Sequence, residues 1–376
     1  MSDEDRIRVL VVDDSALYRK LVRDVLAQIP QLEVVGVAAD GRIALDKIEY
    51  LRPDLITLDV EMPTIDGLGV LKELKRFPHP PGVIMLSALT GAGAEATMAA
   101  LQLGAFDFVL KPNGANVEAS TAALSETLKQ RVDAYLRRVV RTPKLVAAGT
   151  THHPTEAPPK AREEPKPPHP AALKSALDLS FRFPIEAVAL GISTGGPPAL
   201  TAQLPSIPKD FPVPIFVVQH MPPIFTKSLA DDLNRRCQAE VVEAADGDEV
   251  RPGTIYIAPG GHQMKVERDG VRTRIRVNND PHERNCRPSV DYLFRSISHV
   301  YGGSALGVIM TGMGDDGTVG CKLLKRQGAN ILAQNEASSV VYGMPRSIVE
   351  ADLADLICPL HDVGREIVNC VKRSRV

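Results

Sequence analysis

A proline-rich segment in the middle of the chain constrains the fold more than any other feature of the sequence. Eight prolines fall within residues 143–170, mixed with Ala, Glu, Lys, Thr and His. Proline interrupts helices and central strands, and a segment of this composition buries too little apolar surface to offset the entropy cost of ordering. We therefore expect two folded units, at residues 1–125 and 185–376, joined by a helix and linker at 126–184.

The charge balance and the cysteines exclude several classes of protein. The chain has 44 basic and 46 acidic residues, a net charge of −2, whereas a general nucleic-acid binder carries a basic excess. No run of about 18 apolar residues occurs, so we expect a cytoplasmic protein without membrane insertion. The five cysteines form no C-x-x-C pair, a pattern that supports neither a disulfide framework nor a zinc site.

Both units alternate short aliphatic runs with amphipathic stretches. The first has five candidate strands, at 8–12, 32–38, 55–58, 82–87 and 106–110, with five candidate helices, the last at 117–140. The second repeats the alternation, and turn-rich strands at 241–243, 254–257 and 272–277 predict a hairpin-rich insertion around 239–280. Such alternation is typical of doubly wound parallel sheets, so the predicted fold class is α/β with two such domains.

Polar residues follow four of the predicted strands of the first unit. Asp13 and Asp14 follow strand one, Asp59 strand three, Ser87 strand four and Lys111 strand five. Ligands of parallel sheets bind beyond the carboxyl ends of the strands, and clustered carboxylates suit Mg²⁺. An Asp beside that cation could attack phosphorus while Lys and Ser stabilise the phosphoryl oxygens. Each residue alone could be an ordinary turn residue, but all five at strand ends favour a site.

The strings V-V-D-D-S, L-D-V-E-M-P and L-K-P resemble a bacterial response-regulator receiver domain over about residues 7–125. The resemblance implies a flavodoxin-like (βα)5 fold in which Asp59 accepts the phosphoryl group. It also implies an Mg²⁺ site and a set of switch residues. The implied metal ligands are Asp13, Asp14, Asp59 and the backbone carbonyl of Glu61, and the implied switch residues are Ser87, Phe108 and Lys111. Phe108 could equally be a core residue.

In the second unit, the string Gly191-Ile-Ser193-Thr-Gly195-Gly-Pro-Pro runs from an apolar strand into a helix. Proline stands where a phosphate loop needs Lys, and the glycines lack dinucleotide-binding spacing. The G-x-S-x-G pattern instead fits a sharp turn that exposes a Ser hydroxyl near the unpaired N–H groups of a helix, which could stabilise an oxyanion. A structural Gly-Ser turn is the alternative.

A Ser nucleophile needs a base and a carboxylate that orients the base. His220 ends the second strand of this unit, and Asp316 follows the apolar strand at 305–310. The chain order of α/β-hydrolases would choose His361 instead, and Asp315 stands beside Asp316. These alternatives stay open on the residues alone.

Six strings resolve the choice by resemblance: G-I-S-T-G-G-P, V-V-Q-H-M, I-A-P-G-G-H, R-P-S-V-D, M-T-G-M-G-D-D-G and A-Q-N-E-A-S-S-V-V-Y-G-M-P. They resemble the catalytic domain of the CheB family of chemotaxis methylesterases over about residues 185–365, a Rossmann-like α/β domain. The resemblance implies Ser193 as nucleophile, His220 as general base and acid, and Asp316, from the pattern M-G-x-D-G, as orienting carboxylate. Thr194 and Met313 should line the pocket. His262 and the string from Arg287 to Asp291 are near-site candidates, and the alternative for Asp291 is an ordinary residue on a helix face.

The family implies hydrolysis of glutamate methyl esters on chemoreceptors and deamidation of receptor glutamines. It also implies phosphorylation by a sensor histidine kinase, with Mg²⁺ at the receiver and no cofactor for hydrolysis. We expect a monomer whose receiver covers the catalytic cleft until Asp59 is phosphorylated. A non-catalytic module that binds a signalling array is the alternative. A DNA-binding regulator is set aside because no basic recognition helix follows the linker.

Overall fold

The computed structural model describes residues 6–112, 117–141 and 179–376, which form two parallel α/β sheets and one hairpin. The predicted linker at 143–170 lies outside the described residues, and the division into three segments stays a prediction. Within the described ranges, no helix combines the length and apolar composition that crossing a membrane requires.

The first sheet has the strand order β2-β1-β3-β4-β5, all parallel, with the five strands and five helices that the sequence predicts. The strands are β1 Ile7–Val12, β2 Leu32–Ala38, β3 Leu55–Asp59, β4 Gly82–Ser87 and β5 Asp107–Leu110, and the helices are α1 Ala16–Leu26, α2 Gly41–Leu51, α3 Gly67–Leu74, α4 Gly91–Leu103 and α5 Val117–Arg141.

The central strands of this sheet are apolar on both faces because helices cover both faces. Val9, Leu10, Val11 and Val12 of β1 are all fully buried. Ser, Asp and Thr side chains cap the first four helices by accepting backbone N–H groups of the first turn, so the chain reverses abruptly after each strand. Helix α5 packs on the same core from Leu124 to Val139.

The second sheet has the order β14-β13-β12-β6-β7-β9-β8, again all parallel. Its strands are β6 Ala187–Ile192, β7 Ile215–Gln219, β8 Glu240–Glu243, β9 Thr254–Ile257, β12 Ala305–Ile309, β13 Asn330–Gln334 and β14 Leu356–Cys358, with the hairpin β10 Gln263–Asp269 and β11 Arg272–Asn278 outside it. The helices are α6 Gly196–Gln203, α7 Phe225–Arg236, α8 Val290–Val300, α9 Thr318–Arg326, α10 Met344–Glu350 and α11 Val363–Arg373.

The predicted hairpin-rich insertion is partly wrong. Strands β8 and β9 extend the main sheet in parallel, and only β10 and β11 form an antiparallel hairpin. Short strands of four residues carry too little pattern to separate an edge strand from a hairpin strand. The sequence analysis also missed β10, α10, β14 and α11.

Helix α4 of the first unit lies against α6 and α7 of the second. The ring of Phe108 on β5 stacks on that of Phe225, the first residue of α7, with centroids 4.7 Å apart and planes at 14°. Gln102 on α4 donates to Asp232 Oδ2 at 2.5 Å and accepts from the Arg236 guanidinium at 2.7 Å. These contacts hold the receiver sheet against the two helices that follow Ser193 and His220.

Candidate active site and regulatory site

Ser193 lies at the carboxyl end of the central strand β6, on a turn that only glycine permits. Gly195 has a φ of +78°, in the left-handed region. A Cβ at Gly196 would lie 1.8 Å from Gln219 Oε1, so a larger residue there would require the Gln219 side chain to move. The turn leads directly into α6, and Ser193 is 6% exposed at its tip.

The sequence predicts unpaired N–H groups at the start of the helix after Ser193, and the structure shows a different arrangement. Pro197 and Pro198 occupy the first turn of α6 and lack N–H groups, and the Gly196 N–H donates to Ser193 O at 2.8 Å. Among the described residues, none accepts a hydrogen bond from the amides of Thr194 or Gly195. In the described structure, the unpaired amide donors next to Ser193 are therefore these two amides of the turn and not amides of the helix.

His220 and Asp316 are paired at the ends of strands β7 and β12, the two neighbours of β6 in the sheet. His220 Nε2 lies 2.8 Å from Asp316 Oδ2. Three donors at the start of α8 hold the same carboxylate: Ser289 Oγ at 3.0 Å, Val290 N at 2.7 Å and Asp291 N at 2.9 Å. Burial would raise the pKa of Asp316, but its hydrogen bonds to His220 and to these amides lower it, so Asp316 stays ionised.

The other nitrogen of His220 faces a cysteine. Cys286 Sγ lies 3.8 Å from His220 Nδ1, and within the described residues no hydrogen bond joins the Ser193 hydroxyl to His220. Burial works against the imidazolium, but the contacts with Asp316 and Cys286 prevail and raise the pKa of His220 to about 9. Ser193, His220 and Asp316 thus share one edge of the sheet, while the Ser–His contact requires a local movement.

The competing candidates occupy other positions. Asp315 accepts from Arg284 at 2.6 Å, and its side chain is 55% exposed. The side chain of His361 is 79% exposed and lies beside Asp362. Asp291 is buried, and its Oδ1 accepts the amides of Gly317 and Gly320, so it braces the segment that carries Asp316.

The remaining predicted residues lie in or near the same region. Thr194 is buried, and its hydroxyl has no hydrogen-bond partner among the described residues. Met313 follows β12 on the Asp316 segment and is partly buried. His262 Nδ1 lies 2.8 Å from Asn279 Oδ1 and does not reach the His220–Asp316 pair.

Sequence reasoning missed two contributors to this site, Gln219 and Cys286, and it included Ser289 only as part of the string from Arg287 to Asp291. Gln219 Nε2 donates to Ser193 O at 3.0 Å and fixes the turn. Ser289 caps α8 and donates to Asp316, a contact across 27 positions of the chain. Only the string R-P-S-V-D hinted at Ser289, and nothing in the pattern indicated that Cys286 lies beside His220.

The carboxylates of the first unit converge as predicted. One oxygen from each of Asp13, Asp14 and Asp59 lies within 4.8 Å of the others. Lys111 Nζ binds Asp13 Oδ2 at 2.7 Å and Asp59 Oδ2 at 2.6 Å. Burial is the largest effect on Asp59 and raises its pKa to about 6, although Lys111 opposes the shift. The all-oxygen donor set is the kind that Mg²⁺ prefers, so the residues present fit that ion.

Two of the three switch candidates, Ser87 and Phe108, face helix α4 and the second unit. The Ser87 hydroxyl accepts from Thr97 Oγ1 at 2.8 Å and lies 3.3 Å from Gly93 O, both on α4. Phe108 is 6% exposed and stacks on Phe225 across the contact between the units. Glu61 follows β3 directly after Asp59 and Val60.

Comparison with known proteins yields two family matches. Residues 188–367 match the CheB methylesterase family, and residues 9–123 match the response regulator receiver domain. A protein-glutamate methylesterase/protein-glutamine glutaminase of Desulfotalea psychrophila is 51% identical over 97% of this chain and 99% of its own length. The protein of the same name from Bacillus subtilis is 41% identical over 98% of this chain and 100% of its own length.

Among solved structures, the CheB methylesterase catalytic domain of Thermotoga maritima is 39% identical and covers 49% of this chain and 97% of its own, with a TM-score of 0.48. The two family matches lie on the two sheets described above, and the identity to the curated relatives extends over both. The chain therefore belongs to the family of protein-glutamate methylesterase/protein-glutamine glutaminases, with a receiver domain before a CheB methylesterase domain.

Proposed function

We propose that the protein hydrolyses methyl esters of glutamate side chains in chemoreceptors and that phosphorylation of its receiver activates it. The observation that carries the proposal is the His220–Asp316 pair, held at 2.8 Å on the segments that follow the two strands beside β6. Membership of the methylesterase/glutaminase family supplies the substrate class. A monomer suffices, because all three side chains come from one chain.

In the proposed reaction, Ser193 Oγ attacks the ester carbonyl while the neutral His220 imidazole takes the hydroxyl proton. The amides of Thr194 and Gly195 stabilise the negative oxygen of the tetrahedral intermediate. His220 then gives its proton to the departing methoxy group, and methanol leaves an acyl-enzyme on Ser193. Water, deprotonated by His220, attacks that acyl group, and Ser193 and a glutamate carboxylate are regenerated.

Asp316 keeps the imidazole oriented and stabilises the imidazolium that forms. Its carboxylate bonds to the start of α8, so it cannot turn away from His220 without losing three other hydrogen bonds. The same acyl transfer releases ammonia in place of methanol when the substrate is a glutamine, which accounts for the deamidase activity in the names of the relatives.

We further propose that a cytoplasmic sensor histidine kinase phosphorylates Asp59. Asp13, Asp14, Asp59 and the backbone carbonyl of Glu61 would hold Mg²⁺, which supplies charge neutralisation during phosphoryl transfer. Lys111 already contacts Asp59 and would pair with the phosphoryl oxygens. Hydrolysis of the ester needs no metal in this scheme.

The contacts of Ser87 supply a route from Asp59 to the catalytic domain. In the present state the Ser87 hydroxyl bonds to Thr97 on α4, and α4 contacts the catalytic domain through Gln102. A phosphoryl group on Asp59 would draw the Ser87 hydroxyl toward itself and remove this support from α4. The receiver would then lift off α6 and α7, which follow Ser193 and His220, and open the cleft.

The direct test is methanol release from methylated chemoreceptors in vesicles. Ser193→Ala, His220→Ala and Asp316→Asn should each lower kcat by orders of magnitude, with losses that do not add because the three side chains act as a unit. His361→Ala is the matched control and should retain activity. A wild-type protein that binds receptors without releasing methanol would instead support the non-catalytic alternative.

A further inference from the structure

The sulfur of Cys286 lies beside the proposed catalytic base and takes no part in the hydrolysis described above. Cys286 Sγ is 3.8 Å from His220 Nδ1, while His220 Nε2 is committed to Asp316. The side of the imidazole that is free to coordinate or to accept a proton therefore faces a thiol. Sulfur and imidazole nitrogen together are ligands that zinc and similar soft cations prefer.

We propose that Cys286 and His220 form a binding site for a thiophilic divalent cation such as Zn²⁺, and that an ion bound there blocks hydrolysis. The inhibitory part of this inference rests on the proposed function, whereas the binding part does not. A C-x-x-C pattern is absent, and the two ligands instead come from loops 66 positions apart in the chain.

The observed spacing is close to that of a zinc chelate. Zinc binds thiolate at about 2.3 Å and imidazole at about 2.0–2.1 Å, which in tetrahedral geometry separates sulfur and nitrogen by about 3.5 Å. The two atoms need to approach by only a few tenths of an ångström. Zinc-bound histidines commonly donate their second ring N–H to a carboxylate, and Asp316 already occupies that position.

The backbone around Cys286 places the sulfur. Glu283 and Cys286 exchange two backbone hydrogen bonds, of 3.1 and 2.8 Å, across a tight turn. Arg284 and Asn285 within that turn have positive φ values of 50° and 62°. Gln263 Nε2 also lies 3.4 Å from the Cys286 carbonyl oxygen. Cys286 is half-buried and the His220 side chain is 13% exposed, so an ion can reach both from solvent.

An ion at this position would stop the proposed reaction for a simple reason. Coordination uses the lone pair of His220 Nδ1, and Nε2 remains bonded to Asp316, so His220 could no longer accept the Ser193 proton. Hard cations such as Mg²⁺ prefer oxygen ligands and should bind the receiver carboxylates instead. The two sites therefore respond to different metals.

The experiment compares the full-length wild type with Cys286→Ala and Cys237→Ala. Cys237 is the matched control because it is the other free cysteine that is not buried, at the end of α7. Methanol release is measured at about pH 8 with chelator and then with excess Zn²⁺. For each protein, the rate with Zn²⁺ is divided by the rate of the same protein with chelator. We expect at least about tenfold inhibition of the wild type and of Cys237→Ala, little inhibition of Cys286→Ala, and none of any variant by Mg²⁺. Equal inhibition of all three by Zn²⁺ would overturn the proposal.

A spectroscopic measurement tests binding without reference to hydrolysis. Co²⁺ added to the full-length protein should produce a thiolate-to-cobalt charge-transfer band that is retained in Cys237→Ala and in Ser193→Ala. The band should be lost in Cys286→Ala and weakened in His220→Ala. A band that survives in Cys286→Ala would refute the site. This test remains valid even if Cys286→Ala has no esterase activity and its inhibition cannot be measured. Absence of hydrolysis in metal-free wild type would refute the proposed function and leave the band as the test of the metal site.

Discussion

Replacement of Gln102 by Ala should raise the activity of the unphosphorylated enzyme. Gln102 lies on α4, and its side-chain partners, Asp232 and Arg236, both belong to α7 of the catalytic domain. The change removes hydrogen bonds across the contact between the units and leaves the receiver core intact. If the receiver covers the cleft at rest, loss of these bonds shifts the protein toward the open state.

The size of the effect follows from the two hydrogen bonds. Each links the Gln102 amide to a charged group, but solvent screens that charge at this partly exposed site, so we use the contribution of a typical hydrogen bond, about 0.5–1.5 kcal/mol. Their sum, about 1–3 kcal/mol, corresponds to a change of about 5- to 150-fold in the ratio of open to closed forms. The resting activity stops rising once most of the unphosphorylated enzyme is open. The stimulation by a phosphodonor should therefore fall by about the same factor as the resting activity rises.

The assay is initial methanol release from methylated receptors, with and without a small-molecule phosphodonor. Gln130→Ala is the matched control and should leave both rates unchanged, since the bond that Gln130 forms among the described residues is to Glu126 within α5. An unchanged resting rate in Gln102→Ala, with full stimulation retained, would refute the reasoning that this contact keeps the cleft closed. Thermal unfolding of the variants should show equal stability, which separates opening from damage to the fold.

The remaining predictions address the two sites separately. A chelator should abolish stimulation by the phosphodonor and leave resting hydrolysis unchanged; loss of resting hydrolysis would contradict the separation of metal and ester chemistry. A fragment from Ala171 should exceed the resting full-length rate and ignore the phosphodonor, and an equal rate would count against covering by the receiver. In metal-free buffer, the rate should rise from about pH 7 to pH 9, because His220 accepts a proton only when neutral and its pKa is raised to about 9; a flat profile would refute this. Ser289→Ala should lower the midpoint of urea unfolding by the equivalent of about 1–2 kcal/mol, because the α8 cap is lost. It should also slow hydrolysis, because Asp316 loses a hydrogen-bond donor. An unchanged midpoint would contradict the capping role.

The parallel sheets were predictable because their strands are short apolar runs that alternate with amphipathic helices. The positions of Asp59, Ser193 and Asp316 followed from the same pattern: Asp59 ends a buried strand, Ser193 directly follows one, and Asp316 lies in the loop that follows another. The alternation of apolar and polar residues was harder to recognise in strands that are short or largely polar. Strand β10 carries Lys, Glu, Arg and Asp among its seven residues, and β14 has only three residues, so neither produced a recognisable period.

Contacts between distant segments could not be predicted from local pattern at all. The start of α8 holds Asp316, and Cys286 reaches His220, only because the turn before α8 lies over the ends of β7 and β12. The stacking of Phe108 on Phe225 depends on how two separately patterned units meet. Family resemblance supplied the candidate site residues, but the hydrogen bonds that hold them come from three-dimensional packing.

The order of strands in the second sheet has a consequence for how activity arises during folding. Strand β6 pairs with β12, whose residues lie more than a hundred positions later in the chain, and Ser193 and Asp316 occupy the ends of these two strands. Pairing of such distant segments closes a long loop and is slow. No intermediate that lacks the β6–β12 pairing can bring the nucleophile and the carboxylate together. Recovery of methanol release after dilution from urea should therefore lag behind the recovery of helical circular dichroism, and esterase activity reports on completion of the central sheet.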